Sequence, residues 1–238
     1  MKLLKRLKKL MPEDIQPHSP EKMDKIRKDE SRKISKEIYE QNQQMRVSKA
    51  IGRSGIKKRH QNCSFDNFVI QNSGQQHALN EAKAFGDDLL NGSACGGFIF
   101  AGTPGTGKNH LACAIANQAL QQGLSVLVIT CAELMLKVRD TYRQDSTNSE
   151  KELVSFLSDV DFLVIDEFGV QHNTKNDRLT LSSIINGRYA LEKPTGVLTN
   201  LEGDELITTL GRTSSDRIMG DCKWVTFNWP SFRTNRRW

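Results

Sequence analysis

Phe98-Ile99-Phe100-Ala101-Gly102-Thr103-Pro104-Gly105-Thr106-Gly107-Lys108-Asn109-His110-Leu111 decides how the rest of the chain is read. A short apolar run predicts a strand, and the glycines after it predict a loop. Beyond Lys108, Leu111, Ala112, Ile115, Ala116 and Leu120 recur at helical spacing. Strand, glycine-rich loop, lysine and helix in that order are the setting of a phosphate-binding loop. Gly102, Gly105 and Gly107 free the backbone to approach an anion closely. The loop N–H groups and the following helix N-terminus would then face phosphate oxygens. Nucleotide contacts are expected from Gly102, Thr103, Pro104, Gly105, Thr106, Gly107, Lys108, Asn109 and His110, with Lys108 on the β- and γ-phosphates. Position 109 departs from the usual Ser or Thr, whose hydroxyl binds Mg²⁺. The amide oxygen of Asn109 can ligate a hard cation or hold one of its waters. The expected ligand is therefore ATP with Mg²⁺.

Outward from the loop, the body alternates. Strands are predicted at 97–101, 125–130, 161–165, 195–199 and 223–227. Helices are predicted at 75–91, 108–121, 131–143, 175–191, 202–210 and 213–219, and Ser149-x-x-Glu152 is a capping box for one more short helix. Repeated βα units with continuous apolar strands give an α/β fold. A parallel five-stranded sheet should carry helices on both faces, with ligands beyond the strand C-termini. Phe162-Leu163-Val164-Ile165 ends there in Asp166-Glu167. Asp166 is expected to hold Mg²⁺ directly or through water, and Glu167 to polarise the water that attacks the γ-phosphate. Asn200 ends the next apolar strand and either orients that water, senses the γ-phosphate, or serves turn chemistry. Arg217 is a candidate arginine finger for a neighbouring subunit's site, or pairs with Asp216 or Asp221; Arg188, Arg212 and Arg233 are weaker candidates. In the aromatic run 224–233, Trp224 and Phe227 read most simply as core residues of the last strand. No lid domain is expected beyond it.

The 238 residues carry a net charge of +6, unevenly spread. Residues 1–59 hold 18 Lys+Arg against 8 Asp+Glu, and the remaining 179 hold 16 against 20. A basic arm on a mildly acidic body suits a polyanion or an acidic protein surface. Leu3, Leu4, Leu7, Leu10 and Met11 form one helical stripe, Pro12 ends it, and residues 12–20 read as a proline-rich linker. Ile26, Ile34, Ile38 and Met45 lie near a 3.5-residue spacing and predict a long helix with a narrow apolar seam. No apolar run approaches the roughly 20 residues of a membrane span. The five scattered cysteines suit reduced thiols in a cytoplasm. The domain boundary is expected at 59/60: a helical region and linker over 1–59, then an ATPase domain over 60–238.

Taken together these motifs resemble the DnaC-type replicative helicase loaders of the AAA+ ATPases. The likeness runs from Lys5-Arg6-Leu7-Lys8-Lys9-Leu10-Met11-Pro12 through Ser54-Gly55-Ile56 and His60-Gln61-Asn62-Cys63-Ser64-Phe65 to the glycine loop. The triplet Lys108-Asn109-His110 shares the family's own departure from Ser/Thr. It continues through Asp166-Glu167 with Gly169-Val170-Gln171, Pro194-Thr195-Gly196, Leu198-Thr199-Asn200 and Asp216-Arg217. It closes with Phe227-Asn228-Trp229 and Ser231-Phe232-Arg233, and the divergent tail resembles prophage or plasmid versions. The resemblance implies that the N-terminal helices bind the replicative hexameric DNA helicase and that the AAA+ cores self-associate with ATP between neighbours. It also implies that single-stranded DNA enters the opened helicase ring. Tyr142, Arg143, Lys175 and Arg178 are candidate DNA-edge positions. Rival readings are a transposition helper ATPase that binds duplex DNA and a transposase, a P-loop kinase of a small metabolite, and an ATP-binding switch with negligible turnover. The basic arm favours the loader, and membrane binding ranks last.

Overall fold

The computed structural model describes residues 22–23, 25–34, 54–143, 146, 148–169 and 174–232. The apolar stripe at 2–11, the linker at 12–20, the seam residues Ile38 and Met45, Val170-Gln171 and Arg233 lie outside them. The chain divides into two compact units, Met1–Met45 and Arg46–Trp238. In the first, residues 25–34 are helical, with Ile26 half-buried and Ile34 exposed.

The second unit is built on five parallel strands: β1 (Gly97–Gly102), β2 (Val126–Thr130), β3 (Phe162–Phe168), β4 (Thr195–Thr199) and β5 (Cys222–Phe227). Their order across the sheet is β2-β3-β4-β1-β5, every neighbouring pair parallel. The helices are α1 (Ser73–Leu90), α2 (Lys108–Gln121), α3 (Cys131–Asp140), α4 (Glu150–Asp159), α5 (Lys175–Ala190), α6 (Gly203–Leu210) and α7 (Arg212–Asp221). Alternate residues along a strand point to opposite faces, and β1 divides accordingly. Phe98 and Phe100 join a core with α1 and α2, while Ile99 and Ala101 join a second core with α3 to α7. The helices thus cover both faces, as the alternating pattern requires.

Local chemistry sets the helix starts. At Ser149 and Glu152 the hydroxyl accepts the Glu152 N–H at 3.2 Å, and the carboxylate accepts the Ser149 N–H at 2.9 Å. The same reciprocal box opens α1 at Asn72/Gln75, α3 at Thr130/Glu133 and α5 at Thr174/Asp177. The Asn72 box starts α1 two residues earlier than the apolar spacing alone indicates. Helix α3 stops at Asp140, and Thr141 to Arg143 form a turn capped by the Thr141 hydroxyl on the Val138 carbonyl.

Two further features bear on the site. The compact units divide at Met45/Arg46. The Ser54 carbonyl accepts the Val128 N–H of β2 at 2.9 Å, and Lys57 pairs with Glu133 at 3.5 Å, so residues 54–59 pack on the body. Strand β3 also does not end at Ile165. It runs on to Phe168 through a break in its register with β4 between Ile165 and Phe168.

The five cysteines are free. Burial pushes the Cys113 and Cys131 thiols up to about 12, as suits small core residues. Among the described residues no helix is long and apolar enough to cross a membrane.

Candidate nucleotide site

The C-terminal edge of the sheet carries a pocket of about 400 Å³, whose walls include residues 104–110, Asp166, Glu167 and Asn200. These come from the ends of three strands and the first turn of α2, where an open parallel sheet places its ligands. Gly105 and Gly107 have φ of +80° and +100°, backbone that L side chains rarely adopt. A loop wound this way turns successive N–H groups inward as an anion nest. Gly102 is needed for closeness: a Cβ there would lie 2.2 Å from the Phe227 carbonyl oxygen. Gly102 and Thr103 stand behind the loop and are not part of the pocket wall.

Lys108 folds over this nest. Its ammonium donates to the carbonyls of Gly102 (2.6 Å) and Thr103 (2.8 Å) and to Asn200 Oδ1 (2.9 Å). Two predicted residues, one at the start of α2 and one just beyond β4, thus meet directly. Asn109 Nδ2 donates to Asp166 Oδ2 at 2.5 Å, which joins the loop to the end of β3. Asp166 Oδ1 accepts the Glu167 N–H at 2.8 Å.

Glu167 sits in the broken register between Ile165 and Phe168 with φ +53°, left-handed backbone that is unfavourable for glutamate. Bulges of this kind occur beside active sites, where they re-aim a side chain. Neighbours hold this one in place: the Thr199 hydroxyl donates to the Phe168 carbonyl at 2.8 Å, and Thr199 also accepts the Leu201 N–H at 3.0 Å. Asn200, between those contacts, is fixed in direction.

Not every expected residue faces the phosphate position. His110 lines the pocket, but its Nε2 lies 2.9 Å from the Ser64 carbonyl and its ring packs edge-on to Phe68. It anchors the 60s segment, whose Phe68 and Val69 add an apolar wall beside the loop. That segment reads only as a loop in the sequence, and so does His60, also on the pocket wall. Burial, reinforced by Arg59, draws the His60 pKa below its ordinary 6.5.

Arg217 lies elsewhere. With Gly96, Thr195 and Cys222, at the beginnings of strands, it borders a second pocket of about 330 Å³ on the opposite edge of the sheet. Its guanidinium donates to Asn186 Oδ1 at 2.7 Å and lies 5.1 Å from the centre of the Tyr189 ring, and not in an ion pair with Asp216 or Asp221. Arg188 is no finger candidate, because it is 1% exposed. It donates to the carbonyls of Leu157 (2.8 Å), Ser158 (3.4 Å), Val160 (2.8 Å) and Pro194 (2.6 Å) and to the Thr195 hydroxyl (2.9 Å). Burial pulls its pKa down to about 9. Tyr142 bridges Glu150 (2.8 Å) and Asn176 (3.0 Å), which places it beside the start of α5, the helix that carries Lys175 and Arg178.

The donor set fits a magnesium nucleotide. The nest and Lys108 could meet phosphate oxygens, and Asp166 carries the hard oxygen donors Mg²⁺ takes, while Asn109 turns its Nδ2 to Asp166 and its Oδ1 lies 3.9 Å from Cys113 Sγ. Among the described residues no group of three or more His, Cys, Asp or Glu could hold a metal by itself. A cation shared with phosphates and water is consistent with so few protein ligands.

Comparison with known proteins agrees. Residues 34–238 match the family model described as IstB-like ATP binding protein. The replicative helicase loader DnaC of Escherichia coli (strain K12) is 41% identical over 235 residues, 98% of this chain and 95% of that protein. DnaC of Buchnera aphidicola subsp. Acyrthosiphon pisum (strain APS) is 37% identical over 232 residues, 96% of this chain and 94% of that protein. A crystal structure of the DnaC helicase loader shares the fold at a TM-score of 0.61 and 23% identity, over 72% of this chain and 99% of that one. The chain therefore belongs to the IstB-like ATP-binding proteins, within the DnaC-type helicase loaders, and is an ATPase of the AAA+ class.

Proposed function

We propose that this chain is an ATP-dependent DNA replication factor of the cytoplasm that binds the replicative hexameric DNA helicase through residues 1–59 and loads it onto single-stranded DNA. The observation that carries this reading is the extent of the likeness to the DnaC loaders. Identity of 41% holds over 98% of the chain, so it takes in the basic arm as well as the ATPase body.

The residues of the site divide the work as follows. Lys108 exchanges its carbonyl partners for β- and γ-phosphate oxygens. Asp166, together with Asn109, would hold Mg²⁺ or its waters, and the cation would supply neutralisation of the phosphate charge. Glu167 accepts the proton of the attacking water, which Asn200 orients from the neighbouring strand. Arg217 stands on the far edge of the sheet and serves the site of an adjacent copy, stabilising transition-state charge when the cores associate. The surface around Tyr142, Arg143, Lys175 and Arg178 offers an aromatic group and cations to single-stranded DNA.

The test is a mass measurement. The full chain is mixed with the host's replicative helicase and ATP–Mg²⁺, and the complex is sized by light scattering. The run is repeated without residues 1–45, a cut that leaves 54–59 on the body. A complex formed by the full chain and lost on truncation is expected. A full chain that forms no complex overturns the reading.

A further inference from the structure

The last described segment returns beneath the phosphate loop. The Thr103 N–H donates to the Phe227 carbonyl at 3.1 Å, and its hydroxyl reaches the carbonyls of Phe227 (3.4 Å) and Trp229 (3.3 Å). The Trp229 indole N–H donates to the Thr106 carbonyl at 2.9 Å. The Phe232 N–H donates to the Gly105 carbonyl at 2.9 Å. Contact is close enough that a Cβ on Gly105 would lie 2.0 Å from Ser231 Oγ. Trp229 is only 6% exposed, with its ring 4.8 Å from that of Phe227. A nest that turns its N–H groups inward turns its carbonyls outward, and buried carbonyls need donors. The Thr103 carbonyl takes the Thr106 hydroxyl at 2.8 Å from within the loop. Gly105 and Thr106 take theirs from the tail.

We infer that the segment Phe227–Phe232 is a working part of the nucleotide site. The Trp229 indole and the Phe232 backbone are positioning groups that hold the loop in its phosphate-accepting form. Because linkage is reciprocal, bound nucleotide tightens the tail by the factor with which the tail favours nucleotide. The inference rests on the nucleotide reading of this pocket and is independent of helicase loading.

Trp229→Phe keeps an aromatic side chain, smaller than the indole, and removes the donor, and Phe232→Pro removes the second donor at the exposed end of the segment. Full-length variants are titrated with a fluorescent ATP analogue and Mg²⁺, and their thermal midpoints are read without nucleotide. Each variant is expected to bind about 2- to 10-fold more weakly, the span of one lost hydrogen bond. Trp224→Phe, on β5 away from the loop, should bind as wild type does. A merely structural role would lower the midpoint and leave affinity alone. In a Trp224→Phe/Trp238→Phe chain, Trp229 emission should change on adding ATP and saturate with binding. Wild-type affinity in both Trp229→Phe and Phe232→Pro overturns the inference. A wild-type chain that failed to bind would overturn the pocket reading as well, so the two failures are told apart.

Discussion

Replacing Glu167 by glycine should stabilise the protein while stopping hydrolysis. Glu167 is held at φ +53° in the β3 bulge. Left-handed backbone costs an L residue about 1–2 kcal/mol, which glycine does not incur. Glycine's freer unfolded chain returns roughly 0.4–1 kcal/mol of that. The net is a gain of about 0.5–1 kcal/mol, or a rise of roughly 1–4 °C in thermal midpoint for a unit of this size. Loss of the carboxylate should lower the rate of ATP hydrolysis about 10²- to 10⁴-fold, the usual worth of a positioned general base. The backbone N–H that bonds Asp166 survives the change. Glu192 supplies an internal control, because it too has φ +53° and borders the opposite edge of the sheet. Glu192→Gly should raise the midpoint by a similar amount and leave hydrolysis unchanged. The assays are differential scanning calorimetry without nucleotide and initial rates of phosphate release with Mg²⁺. Glu167→Gly with full activity would remove Glu167 from the chemistry. A fall in midpoint with Glu167→Gly, beside a rise with Glu192→Gly, would refute the strain reasoning at the bulge.

Arg188→Met should cost roughly 3 kcal/mol or more, since it leaves several buried carbonyls without their donor, whereas Arg217→Ala should stay within about 1 kcal/mol; urea midpoints compare the two directly. Stability should fall as pH drops below about 6.5, in part through His60. Its folded-state pKa is lowered by burial and by Arg59, so its contribution is complete above 6.5 and is lost as pH falls toward the folded value. His60→Gln should flatten the change in urea midpoint between pH 7.5 and 5.5, and an unchanged slope would count against this reading.

Those residues divide what the sequence makes legible from what it hides. The glycine loop, the Ser149/Glu152 box and the strands are short-range chemistry, and each is found where its spacing places it except the end of β3, which runs past Ile165 to Phe168. The meeting of Lys108 with Asn200 follows once the strands are known to be parallel, because parallel strands bring their C-terminal ends to one edge. The β3 bulge is invisible, because position 167 holds no glycine to announce a positive φ. Its partner is non-local: the Thr199 hydroxyl of the next strand bonds the Phe168 carbonyl. Trp229 is equally hidden: its donor serves a carbonyl 123 residues earlier in the chain, and no local pattern records that. An arginine on a helix reads the same whether it is sealed inside, like Arg188, or half-buried at a pocket mouth, like Arg217.

The position of Arg217 carries the last step. The nucleotide pocket lies beyond the ends of β1, β3 and β4, and Arg217 lies at the beginnings of β1, β4 and β5. Strands of five to seven residues separate those edges by roughly 17–23 Å. An arginine side chain does not bridge that gap, and a packed sheet does not bend to close it. Within one copy, therefore, Lys108 and Arg59, which both border the nucleotide pocket, are the described cations placed near a γ-phosphate, and Arg217 is not. Any catalytic use of Arg217 has to be intermolecular. Arg217→Ala should then leave the ATP affinity of the isolated chain as it is and lower only the turnover that depends on protein concentration.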